Sequence, residues 1–231
     1  ASGYDGVPGV PALFGREHVP ELLTLTGDSG AGPWLRKRLS DLMIIPLGAP
    51  TFAEALRWGA ETYRALQGLL KDKGLATTVG DEGGFAPRVR GGNKEALELI
   101  SEAVGAVGYK LGEDIVLAID VASSQFYEKG VYMLKHEGVS KSSEEMIEWL
   151  SSLAKEFPIV SIEDGLAEND WEGWVKLTER LGAGTQLVGD DLLVTNTKFL
   201  TAAITKKAGN AILVKVNQIG TLTETIAAVK M

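Results

Sequence analysis

Four apolar runs in this chain each end on a charged residue: Ile115-Val116-Leu117-Ala118-Ile119-Asp120, Ile159-Val160-Ser161-Ile162-Glu163, Gln186-Leu187-Val188-Gly189-Asp190 and Ala211-Ile212-Leu213-Val214-Lys215. A strand buried on both faces of a parallel sheet reads as such an unbroken apolar run. In α/β barrels, functional side chains gather where these strands end. Three carboxylates and one lysine would therefore meet at one mouth. That set suits a hard divalent cation beside an amine base. A single carboxylate after a strand is more often a helix N-cap, its oxygen satisfying free backbone N–H groups. Asp164 and Asp191 are expected in such local roles. Four charged ends in succession fit caps poorly.

Between these runs lie helical patterns, so strand and helix alternate as in βαβ units with right-handed crossovers. A short strand is predicted at Leu42–Pro46 and a long helix over Phe52–Leu70, with Leu56, Tyr63, Leu66 and Leu70 on one stripe. A glycine-bracketed loop, Thr77 to Gly84, precedes a helix over Lys94–Val107. Val131–Lys135 reads as an extended insertion, and a helix starts at Ser143 with Ser142 and Glu145 at capping-box spacing. Further helices are expected around Trp171–Leu181, over Lys198–Lys207 and over Thr221–Lys230. The first 33 residues are rich in Gly and Pro, with one short helix predicted at Val19–Leu25. The expected fold class is α/β, a partial barrel of five to six strands with two open edges, one of them a candidate for cover by the Val10–Phe14 run.

Composition narrows the function. At 231 residues, 45% hydrophobic and 23% charged, the chain can bury a sizeable core. A formal charge of -8 argues against nucleic-acid or membrane-surface partners, which are anionic. Zero cysteines exclude thiolate metal sites and fit a reducing, cytoplasmic compartment. No apolar stretch approaches the roughly 18 residues of a membrane span. His18 and His136 stand isolated from other ligand types, the tryptophans read as packing residues, and Lys71-Asp72-Lys73 reads as a solvated helix end.

Four motifs in order carry a family resemblance: Val79-Gly80-Asp81-Glu82-Gly83-Gly84-Phe85-Ala86-Pro87, Ser161-Ile162-Glu163-Asp164-Gly165, Gly189-Asp190-Asp191-Leu192 through Val194-Thr195-Asn196, and Leu213-Val214-Lys215-Val216-Asn217-Gln218-Ile219-Gly220-Thr221. Together with Pro46–Phe52 and Ala122-Ser123-Ser124 they resemble the enolase family over Leu42 to Lys230. The resemblance implies a glycolytic, cytoplasmic lyase that interconverts 2-phosphoglycerate and phosphoenolpyruvate with Mg²⁺, usually as a homo-oligomer. It implies magnesium ligands at Asp120, Glu163 and Asp190, a proton-abstracting base at Lys215 and a general acid at Glu82. Substrate contacts would fall on Asp41, Glu163, Asp190 and Lys215.

The chemistry agrees with that assignment. A proton beside a carboxylate is weakly acidic, so cations are needed where the second negative charge develops. Mg²⁺ takes oxygen ligands and keeps positions for water or substrate. A lysine beside such cations is expected to have a lowered pKa.

Departures are also legible. Asp41 stands where the family has glutamate, and Gln125 where glutamate is common. The family's N-terminal α+β domain, its first barrel strand, its phosphate-gripping His-Arg-Ser motif and its second active-site lysine have no counterpart in this sequence. Gly6–Arg38 instead resembles a segment of molybdopterin nucleotidyltransferases but lacks their Gly-rich nucleotide loop. Two domains are therefore expected, 1–41 and a barrel piece over 42–231. Turnover is expected to be at least about a thousandfold slower than in a complete enolase, from losing electrostatic contacts of about 2.7–4 kcal/mol each. The alternative is a non-catalytic, enolase-derived module that binds Mg²⁺ or a protein partner.

Overall fold

In the computed structural model the described residues are 48–231 and, for their backbone alone, 2–4, 7–9 and 45–46. The helix expected at Val19–Leu25, the Val10–Phe14 run and Asp41 lie outside them. The chain forms two compact units, Ala1–Val89 with Glu95–Ile115, and Arg90–Lys94 with Val116–Met231.

In the first unit, β1 (Ser2–Tyr4) pairs antiparallel with β2 (Val7–Gly9) and parallel with β3 (Ile45–Pro46). Helix α1 spans Phe52–Asp72, where Thr51 Oγ1 caps it by accepting from the Glu54 N–H. Of the predicted apolar stripe, Leu70 is buried, whereas Leu56 is 63% exposed. Tyr63 serves a glycine loop instead of a core: its ring stacks on Phe85 at 4.3 Å and its hydroxyl donates to the Gly83 carbonyl at 3.0 Å. Helix α2 covers Gly92–Ala106.

The second unit holds the strands that matter for function. A four-stranded parallel sheet runs in the order β10-β9-β8-β4, from β4 (Leu117–Asp120), β8 (Ile159–Glu163), β9 (Gln186–Gly189) and β10 (Ala211–Ile212). Among the described residues β10 and β4 are its edges, and the sheet has four strands where five to six were expected. The register sets Asp120 opposite Glu163, Glu163 opposite Val188 and Gly189 opposite Ile212, so the charged ends share one end of the sheet. The last strand is shorter than its apolar run. Leu213 still donates to the Gly189 carbonyl at 3.1 Å, but Val214 is exposed and Lys215 caps a single helical turn, α6 (Val216–Ile219).

The Val131–Lys135 insertion is the middle strand of a three-stranded antiparallel sheet: β5 (Tyr127–Glu128), β6 (Val131–Leu134) and β7 (Val139–Lys141). Its first hairpin turns on Lys129 and Gly130, both at positive φ, the conformation that two-residue hairpins need. Helix α3 (Ser143–Glu156) opens with the expected capping box of Ser142 and Glu145, and buries Met146, Leu150 and Leu153. Helix α4 (Trp171–Leu181) packs beside α3 and buries Trp174 and Leu177. Helices α5 (Thr197–Lys206) and α7 (Leu222–Val229) complete the unit.

Tyr132 ties the insertion to this core. It is fully buried, its hydroxyl donates to Asp170 Oδ2 at 2.7 Å and it accepts from the Ala167 N–H at 3.0 Å. Burial is the main reason its phenol titrates well above the ordinary range, so it remains a donor. Removing that hydroxyl orphans a buried N–H. Tyr132→Phe is therefore expected to cost about 1–3 kcal/mol, read as a lower denaturant midpoint at unchanged slope.

Candidate active site

The site is built where β4, β8, β9 and β10 end. Asp120, Glu163, Asp190 and Lys215 all lie there, brought together by strand register. Asp120 is exposed, and its Oδ1 accepts from the Ala122 N–H at 2.9 Å. Glu163 is half-buried between its neighbours. Its carboxyl is pushed up to about 7, first by burial and then by the negative charges of Asp120, Asp190 and Asp164, with Lys215 opposing. Carboxylates that repel one another in this way are relieved by positive charge brought among them.

Asp190 is 8% exposed and engages both its oxygens. Oδ2 pairs with Lys215 Nζ at 2.5 Å, and Oδ1 accepts from Gln218 Nε2 at 2.6 Å. The Lys215 side chain is 40% exposed, so its amine is reachable from solvent. Gly189, just before Asp190, allows the following turn to close tightly. A Cβ there would lie 2.8 Å from Leu193 Cγ, and the turn itself is held by the Val194 N–H donating to the Asp190 carbonyl at 2.8 Å.

Asp164 has a different role from the helix cap expected of it. Its carboxylate accepts the backbone N–H groups of Asp190, at 3.0 Å, and Asp191, at 2.8 Å. It thereby fastens the end of β8 to the loop after β9. Burial pushes its carboxyl up to about 6, with those two N–H groups pulling against the rise. Its backbone is left-handed, φ 41°, a conformation that costs a non-glycine residue energy unless surrounding contacts impose it. Asp164, Asp190 and Asp191 form the one group of three among the described residues whose ligand atoms all lie within 4.8 Å of one another. Asp120 and Glu163 stand outside that group. Asp164 already spends both oxygens on backbone, so the group reads as a structural clamp that shares Asp190 with the site.

Glu82 belongs to the first unit. It is exposed in a loop closed by the Gly80 N–H donating to the Gly84 carbonyl at 2.9 Å and the Gly83 N–H donating to the Gly80 carbonyl at 2.9 Å. Sequence reasoning passed over Gln218 and Thr195, although both lie inside quoted motifs. Neither residue type signals such a role without knowledge of the fold.

The family model described as the enolase C-terminal TIM barrel domain matches residues 18–231. The match begins at His18, so residues 18–41, set apart on motif grounds, lie within it. Among curated proteins, Enolase 1 from Methanospirillum hungatei JF-1 is 53% identical over 213 residues, which is 92% of this chain and 50% of that protein. The chain thus spans about half the length of the curated relative it matches. A parallel sheet with its charged strand ends gathered at one side, a family match over most of the sequence and identity at this level show that the chain belongs to the enolase family.

Proposed function

We propose that this chain carries the chemistry of an enolase-type lyase, interconverting 2-phosphoglycerate and phosphoenolpyruvate in glycolysis with Mg²⁺ as cofactor. The observation that carries the reading is the placement of the Lys215 amine against Asp190, in a cluster where Asp120 and Asp190 both act on Glu163. Asp120, Glu163 and Asp190 would hold the cation, since their oxygens are hard donors and their mutual repulsion is relieved by positive charge. Bound there, Mg²⁺ supplies positive charge where the substrate carboxylate becomes doubly negative.

Lys215 takes the proton from the carbon beside that carboxylate. To do so its ammonium first gives up a proton to solvent and leaves Asp190, whose oxygen the cation would share. Glu82, on its glycine loop, returns a proton to the departing hydroxyl, a role supported by its motif. Asp41 is assigned a substrate contact on the same ground.

The experiment is conversion of 2-phosphoglycerate by the purified chain, followed by the absorbance of phosphoenolpyruvate, with Mg²⁺ and with excess chelator. Turnover that disappears with chelator is the expected result. Equal rates in both, or no rate above the uncatalysed background, would remove the reading. Asp190→Asn keeps the side-chain size and loses the charge. It is expected to weaken Mg²⁺ binding at least about tenfold in a calorimetric titration, since even outer-shell partners contribute 10–100-fold.

A further inference from the structure

We infer that Thr195 is the positioning residue that aims Lys215, an inference that rests on the reading of Lys215 as the base. The lysine follows a strand that ends early, so the sheet ladder does not hold its backbone. Thr195 takes over. Its Oγ1 accepts from the Lys215 N–H at 2.8 Å and donates to the Leu213 carbonyl at 3.2 Å, bracketing the segment from both sides of Val214. Thr195 is fully buried, so its hydroxyl has no water to exchange with.

The backbone reinforces the point. Val194 and Thr195 are consecutive β-branched residues at positive φ, 41° and 54°, where such side chains are genuine outliers. Strain of this kind persists where surrounding contacts impose it, and it gathers at functional sites. Here it lets the turn after Asp190 double back and present the hydroxyl to the next strand. The same turn carries Asp190, which grips the Lys215 amine at 2.5 Å. One loop therefore holds the lysine at two points, the main chain through Thr195 and the side chain through Asp190. A base held at both ends has a defined reach, and misplacement by about 1 Å can cost roughly 100-fold in rate.

Three variants separate aim from fold. Thr195→Ser keeps the hydroxyl. Thr195→Val keeps the shape and loses it. Thr195→Gly loses it while adopting positive φ without strain, so it stays folded even if the valine variant does not. Two readouts are used: KM and kcat for 2-phosphoglycerate, and acetic anhydride labelling of Lys215 in metal-free protein, read by peptide mass spectrometry. The serine variant is expected to match the unsubstituted chain. The glycine and valine variants are expected to lose kcat by about 100-fold with little change in KM, and to label faster at Lys215. Unchanged labelling of Lys215 in Thr195→Gly overturns the inference, whatever the turnover. Turnover indifferent to Lys215→Ala would instead remove the base assignment, and the labelling would still report on the clamp.

Discussion

Lys215→Ala is expected to lower turnover of 2-phosphoglycerate by about 10²- to 10⁴-fold, the range for removing a positioned acid or base. KM should change much less than turnover, because the contact of the amine with the substrate strengthens as the proton is transferred. The side chain is 40% exposed and its backbone is held by Thr195, so the variant should keep its fold. The loss also frees Asp190 Oδ2 from its ion pair. Mg²⁺ binding should therefore persist while the rate collapses. Steady-state kinetics and a metal titration on the same preparation check both halves. A variant that loses metal binding and rate together would assign Lys215 to charge balance and not to proton transfer.

Trp174→Ala is expected to destabilise the second unit by about 3–5 kcal/mol, the cost of emptying a buried aromatic site. Trp174 is fully buried on α4, and its indole N–H donates to the carbonyls of Leu166 at 3.1 Å and Ala167 at 3.2 Å. Both carbonyls belong to the loop leaving β8, a few residues past Glu163 and Asp164. The truncation thus removes a large volume and releases the segment that carries Asp164's clamp on Asp190 and Asp191. Trp174→Phe keeps most of the ring and forfeits only the N–H, so it should lose much less. Urea unfolding of the three proteins measures the order. A loss below about 1 kcal/mol for Trp174→Ala would mean that the site collapses around the smaller side chain.

The strands and their charged ends were legible because a buried parallel strand leaves a plain mark, an unbroken apolar run. The Ser142–Glu145 capping box was legible for a similar reason, since its residue types and spacing are local. What escaped depends on contacts far apart in sequence. Asp164 resembled a helix cap, yet the N–H groups it accepts belong to the loop after the neighbouring strand. Thr195 carried no warning, because a β-branched residue gives no sign that tertiary contacts will impose positive φ on it. Of the antiparallel sheet only the middle strand was legible, within Val131–Lys135; its partners β5 and β7 escaped because they are two and three residues long, although Lys129-Gly130 is a turn signal. Lys215 was placed at a strand end and stands three residues beyond it, as the cap of α6.

The central claim is that Lys215 removes a carbon-bound proton in a cation-assisted site, and hydrogen exchange tests that step apart from dehydration. 2-Phosphoglycerate is incubated with the chain and Mg²⁺ in D₂O, and the C2 hydrogen is followed by proton NMR. The expected result is loss of that signal at a rate that needs both Mg²⁺ and Lys215, so that chelator or Lys215→Ala returns it to background. Exchange that continues unchanged in Lys215→Ala, or none in the unsubstituted chain with saturating Mg²⁺, would contradict it.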